Sequence, residues 1–158
     1  MIKKKQKYLG EILVHKGLIS DQQLQKVIEE QMRNKKFLGS MLVEQGLISE
    51  DDLLAALAEQ FNIEPVFLKD EKIDWEVAAS FSTSLITDHK CLPVRADADT
   101  VTLAITNPLD VWVLNTAEKE AAPRKVKVVL AKSSDMDDAI KEYRRYSIRK
   151  MMNKWSRD

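Results

Sequence analysis

The chain has 158 residues, 25 of them basic and 25 acidic, with one cysteine, Cys91. This length can bury a core as one ordinary domain or two small ones, and a lone cysteine excludes both an internal disulfide and a cysteine-rich metal site. The zero net charge is unevenly spread, with nine basic and four acidic residues in 1–36, four and thirteen in 37–99, and twelve and eight in 100–158, so the first third can steer an anionic ligand or partner.

The basic start, Met1-Ile-Lys-Lys-Lys-Gln-Lys, is not followed by the apolar stretch of a secretion signal. Nowhere does an apolar run approach the roughly 18 residues of a membrane span. A cytoplasmic protein without a transmembrane segment is expected. From Tyr8 onward one pattern is stated twice, 29 residues apart: Tyr8-Leu-Gly-Glu-Ile-Leu-Val-His-Lys-Gly-Leu-Ile-Ser20 is answered by Phe37-Leu-Gly-Ser-Met-Leu-Val-Glu-Gln-Gly-Leu-Ile-Ser49. Residues 8–31 and 37–60 share eleven identities in twenty-four positions, and all four glycines lie inside the two copies. A fixed period of this kind marks a duplicated supersecondary unit.

Each copy predicts a short helix, a tight break and a longer helix. Gly17 and Gly46 fall where a left-handed residue ends a helix. Ser20 and Ser49 follow as N-caps, Ser20 with Gln23 at capping-box spacing and Ser49 with Asp51 and Asp52 in the first turn. Ile19/Leu24 and Ile48/Leu53 are placed as hydrophobic staples. Leu24, Val27, Ile28 and Gln31, and likewise Leu53, Ala56, Leu57 and Gln60, share one helical face that is apolar until its final glutamine. Residues 1–63 therefore predict a four-helix subdomain of two tandem hairpins.

The pattern then changes. Ile73 to Asp88 predicts two short helices with Asp74 and Ser82 as caps. Cys91 to Arg95, Thr100 to Thr106 and Lys125 to Ala131 predict three strands. Asn107-Pro-Leu-Asp110 starts a helix to about Glu120, and Ser133-Ser134-Asp135 caps a last one. Residues 64–146 thus predict a small α/β subdomain with a mostly antiparallel three-stranded sheet, and 147–158 a basic tail, read as the solvated end of the last helix or, alternatively, as a face for a partner or an acidic surface. The fold class is α+β.

Enzyme signatures are missing. The sequence has no phosphate-binding Gly-x-x-x-x-Gly-Lys-Ser/Thr loop, no Gly-x-Gly-x-x-Gly and no Cys-x-x-Cys, and its two histidines, His15 and His89, sit in no metal-binding spacing. No catalytic residue, metal or cofactor is expected, and Cys91, leading an apolar run, reads as a buried structural thiol. Two pairs of residues resist a purely structural reading. Gly10 and Gly39 stand near the start of predicted helices, where glycine costs about 1 kcal/mol against alanine, unless a ligand or another helix must come close. Gln31 and Gln60 close apolar stripes although a buried amide needs partners.

At these positions the chain resembles the N-terminal domain of type II secretion and type IV pilus assembly ATPases, in its MshEN form that binds cyclic di-GMP. That family carries the motif Arg-Leu-Gly-x-x-Leu-x-x-x-Gly-x-x-x-x-x-x-Leu-x-x-x-Leu-x-x-Gln twice, five residues apart. Leu9, Gly10, Leu13, Gly17, Leu24 and Gln31 match the first copy, with Ile28 in a leucine place. Leu38, Gly39, Leu42, Gly46, Leu53, Leu57 and Gln60 match the second. The resemblance continues through Leu92-Pro-Val-Arg and Ile105-Thr-Asn-Pro-Leu-Asp110. Tyr8 and Phe37 stand at the two motif heads, Tyr8 where the family has arginine, and Asn107 stands where aspartate is usual.

The resemblance implies a non-catalytic cyclic di-GMP receptor module with an extended ligand along both repeats. Leucines would cover bases and riboses, the backbone at Gly10 and Gly39 would approach the phosphates, the glutamines would donate, and Asp110 would bond a guanine edge. Tyr8 and Phe37 complete the expected site, with Lys7, Arg33, Lys35 and Lys36 supplying positive field. Gly39→Val is expected to abolish binding in a folded protein. The alternative is a docking domain for a secretion or pilus assembly protein that binds no nucleotide. Neither reading expects DNA or RNA.

Overall fold

The computed structural model describes residues 2–156, with side chains from Tyr8 onward. Expectations resting on Met1, on the Lys7 side chain, or on residues 157 and 158 of the tail lie outside them. The chain divides into two compact units, Met1–Ile63 and Glu64–Asp158.

The first unit holds α1 (Ile2–His15), α2 (Asp21–Asn34), α3 (Leu38–Glu44) and α4 (Glu50–Phe61). Its helix boundaries follow from local chemistry. The hydroxyl of Ser20 accepts from Gln23 N–H while the Gln23 side chain accepts from Ser20 N–H, and Ser49 and Asp52 repeat this arrangement. Gly17 and Gly46 take φ of 74° and 72°, with open space where a Cβ would stand, so both are glycine for conformation alone. Removing either cap, by Ser20→Ala or Ser49→Ala, is expected to cost about 1 kcal/mol in chemical denaturation.

One expected boundary moves. Helix α1 is as long as α2, because the lysines and glutamine ahead of Tyr8 are good helix formers and carry it back to Ile2. Gly10 is therefore its ninth residue, not its second. In the second repeat no such extension exists: α2 stops at Lys35 in the left-handed region, and α3 begins at Leu38.

The second unit holds α5 (Trp75–Ala79), α6 (Thr83–Thr87), β1 (Leu92–Ala96), β2 (Thr100–Ile105), α7 (Val111–Ala121), β3 (Lys125–Leu130) and α8 (Ser133–Trp155). The sheet order is β1-β2-β3. Strands β1 and β2 pair antiparallel across the turn at Asp97, whose carboxyl accepts from Asp99 and Thr100 N–H at 2.8 Å each and is held below the usual aspartate range by those bonds. Strands β2 and β3 pair in parallel, from Thr100 opposite Lys125 to Ile105 opposite Leu130. The sheet is therefore mixed, and the expected antiparallel order holds for the first ladder only: α7 is the crossover that a parallel pair requires.

Two expected caps are also used differently. Asp74 caps α5 as read, accepting from Glu76 and Val77 N–H. Ser82 instead gives both its N–H and its hydroxyl to the Glu120 carboxylate of α7, at 2.6 and 2.9 Å. Asp135 lies inside the first turn of α8, buried, with the Lys69 ammonium 3.7 Å away. Leu92, Val94, Val101, Leu103, Leu130, Met136 and Ile140 are among the core residues of this unit.

Candidate functional site

The two repeats of the first unit interlock. Helix α1 packs mainly on α4, and α2 on α3. At the edges, Lys16 Nζ reaches Glu59 at 2.9 Å, and Gln45 Nε2 donates to Glu30 at 2.6 Å. Residues 16 and 45 are equivalent under the 29-residue repeat, and so are 30 and 59. The same contact is thus made twice, first repeat to second and second to first, which is the reciprocity of a twofold axis. Duplication in sequence has become approximate twofold symmetry in space.

The motif residues divide by exposure. Leu9, Leu13, Leu24, Leu38, Leu42 and Leu57 form the core of the unit, and Gly10 and Gly39 are buried among them. Tyr8 is 54% exposed, Gly17 and Gly46 are exposed, and Ile28, Gln31, Phe37, Leu53 and Gln60 are half-buried. Of the leucine-place residues expected to cover a ligand, Ile28 and Leu53 are the ones left half-buried.

The buried glycines have a packing reason. A Cβ on Gly10 would stand 2.6 and 2.8 Å from the two methyls of Leu24, and one on Gly39 would stand 2.5 Å from Leu53 Cδ1 and 2.9 Å from Phe37 Cε1. Each glycine lets the first helix of its hairpin meet the first leucine of the second. The Gly10 amide lies deep in α1, where the helical ladder supplies an acceptor for its N–H. The Gly39 amide lies in the first turn of α3, where backbone N–H groups have no intrahelical acceptor. Valine at 39 would displace Leu53 and Phe37, so Gly39→Val would disturb the packing of this hairpin as well as any ligand approach.

Gln31 has a local use. Its Nε2 donates to Lys36 O at 3.0 Å and its backbone carbonyl accepts from Lys35 N–H, pinning the short spacer that delivers Phe37. Arg33, Lys35 and Lys36 are exposed along this spacer, Lys36 within 3.5 Å of Glu44.

Asp110 belongs to the second unit. Its Oδ1 accepts from Val113 N–H at 3.2 Å and caps α7, while Asn107 Oδ1 accepts from Leu109 N–H at 3.0 Å. Asparagine thus closes this turn with the same carbonyl-type acceptor that aspartate would offer. Beside the turn, Val111 and Trp112 are more than half exposed, and Trp112 rests against His89 with ring centroids 4.3 Å apart. The sequence signal for this pair was two apolar residues at the start of a capped helix whose core face begins only at Val113.

The Cys91 thiol is buried and pushed up to about 12, chiefly by burial and then by the Glu120 and Asp110 charges. Because the thiolate is the nucleophile, maleimide is expected to leave the native protein unlabelled and to label it fully in denaturant. Among the described residues no group of three or more histidine, cysteine or acidic side chains is placed to hold a metal, and no helix is long and apolar enough to cross a membrane.

Fold and site together define a two-unit α+β domain whose first unit is an internally twofold helical repeat. The MshEN domain family matches residues 61–150, and the chain belongs to it. Of the motif residues only Asp110 falls inside that span. The structure is similar to that of MshE solved with cdg, at 24% identity and TM-score 0.77 over 85% of this chain and 97% of that one. It is also similar to the N-terminal domain of XpsE, at 20% identity and TM-score 0.70 over 87% and 94%. A curated relative, the type IV pilus assembly ATPase PilB of Myxococcus xanthus (strain DK1622), is 29% identical over 135 residues, 85% of this chain. The chain spans 24% of that relative's length.

Proposed function

We propose that this chain is a non-catalytic, cytoplasmic receptor module for cyclic di-GMP, serving a secretion or pilus assembly machine. The observation that carries the reading is the reciprocal pair of contacts, Lys16 with Glu59 and Gln45 with Glu30, which makes the duplicated unit twofold. Cyclic di-GMP is itself a twofold molecule, and a twofold receptor offers each half the same surroundings. The likeness to MshE solved with cdg supports the same ligand. In this reading the motif members that are not fully buried bind: Tyr8 and Phe37 against bases, Ile28 and Leu53 beneath them, Gln31 and Gln60 as hydrogen-bonding amides, and the exposed spacer cations Arg33 and Lys35 near the phosphates. The glycines and buried leucines hold the hairpins that present them.

Calorimetry with cyclic di-GMP tests this directly, beside linear pGpG and GTP. Saturable heat near one ligand per chain, with weaker responses to the linear nucleotides, is expected. A second reading, a docking domain for a secretion or pilus assembly protein, is favoured by the burial of six motif leucines and by the packing reason for both buried glycines. No heat and no thermal shift at millimolar cyclic di-GMP would leave that reading in place.

A further inference from the structure

Helix α8 is two helices in chemical character. Its first half is docked: Met136, Ala139, Ile140 and Tyr143 are buried, and its acids Asp135, Asp137 and Glu142 make ion pairs with Lys69, Lys90 and Arg145. Beyond Tyr143 the helix continues without a break to Trp155, yet no described residue after Tyr143 is buried. Tyr146 stacks on Trp75 with centroids 6.4 Å apart. From residue 144 onward the described helix has five cations, Arg144, Arg145, Arg149, Lys150 and Lys154, and no acid.

Along the same stretch Ile148, Met151, Met152 and Trp155 are each more than half exposed. At ~100° per residue they fall within roughly 100° of arc, one continuous stripe. The stripe is not a continuation of the docked face: it lies roughly 120° around the helix from the mean direction of Met136, Ala139, Ile140 and Tyr143. It is therefore turned away from α5 and the Leu68–Asp70 turn, on which α8 packs. A solvated helix has no use for four large apolar side chains on one line, and a core helix would carry them on the docked side.

We propose that residues 144–155 form an interfacial helix that lies flat on an anionic lipid surface, with Ile148, Met151, Met152 and Trp155 in the acyl boundary and the cations among the headgroups. Length, sign and composition all favour this occupant. Twelve residues span about 18 Å, too short to cross a bilayer core of about 30 Å but sufficient to lie along its surface. Cations flank the stripe on both sides with no acid between Glu142 and Asp158, the charge pattern that a negative surface attracts. Unbranched methionines and a terminal tryptophan suit a fluid interface, which demands depth and sign but no fixed complementary shape.

The test uses the whole chain with vesicles of equal parts phosphatidylcholine and phosphatidylglycerol, beside vesicles of phosphatidylcholine alone. Sedimentation with the anionic vesicles only, released by added salt, is expected, with a blue shift of tryptophan emission that Trp155→Ser removes. The double variant Met151→Ser/Trp155→Ser should lower partitioning about tenfold or more, and Arg149→Gln/Lys150→Gln by about tenfold. All four positions lie beyond the docked half, so thermal unfolding should match the parent chain. Failure to bind anionic vesicles at low salt overturns the proposal. So does binding that both double variants retain in full, because it then comes from other cations. A concentration-dependent doubling of mass, lost in Met151→Ser/Trp155→Ser and unaccompanied by vesicle binding, would assign the stripe to a second copy instead.

Discussion

Replacing Gly10 by valine is expected to destabilise the first unit by about 2 to 3 kcal/mol, the upper part of the range for overpacking a core. The neighbour is Leu24, whose two methyls would lie 2.6 and 2.8 Å from even a single added carbon and whose Cγ would lie at 3.3 Å. Leu24 is buried and anchors the first turn of α2, so it cannot swing into solvent without opening the hairpin. Valine adds two further methyls and a β-branch in mid-helix. The control is Gly17→Ala, which meets no neighbour and suffers only the left-handed backbone, worth about 1 to 2 kcal/mol.

A double-mutant cycle separates packing from any ligand-approach role. Leu24→Ala alone should cost about 2 to 4 kcal/mol by leaving a cavity. Gly10→Ala in that background should cost far less than in the parent, because the new methyl enters the space that Leu24 left. A coupling of about 1 kcal/mol or more in urea denaturation identifies the contact. Additive effects would mean that Gly10 and Leu24 do not meet, and the packing account of the first glycine would fall.

This result bears on what could be read from residues alone. Local rules sufficed where a residue's job is local: Ser20, Ser49, Gly17, Gly46 and Asp110 each sit at the helix end their chemistry favours, because caps and left-handed stops are decided within four residues. The 29-residue repeat also conveyed the hairpins. What failed depends on partners distant in sequence. Ser82 has the form of a cap, but Glu120, thirty-eight residues on, takes its hydroxyl. The parallel seating of β3 was hidden because alternation along a strand reports its faces and not its direction. The site was legible as a set of positions, not as a surface: the motif does not distinguish leucines that face the core from those that face outward. That distinction appears only when α1 is packed on α4 and α2 on α3.

The second large effect concerns Tyr8, the most exposed motif side chain apart from the helix-ending glycines. Tyr8→Arg is expected to tighten cyclic di-GMP binding by about tenfold or more. Tyrosine presents a flat ring that can stack on a base, but it lacks a charge and the planar fork that bonds guanine or phosphate through two parallel N–H groups. Such a bidentate contact is worth about 1 to 3 kcal/mol, and about 1.4 kcal/mol is a factor of ten. With tyrosine in place, the positive charge available to the ligand comes from the exposed spacer, where Lys36 is already drawn to Glu44. Binding by the parent chain should therefore be weak and should decline as salt is added, since exposed charges are screened. Tyr8→Ala should weaken it further by removing the stacking surface. Exposure makes these substitutions clean: neither disturbs a buried neighbour, so changes in affinity are not confounded by unfolding. If Tyr8→Arg leaves the dissociation constant unchanged in a chain that binds, residue 8 does not face the ligand, and the assignment of the motif head to the binding surface is wrong.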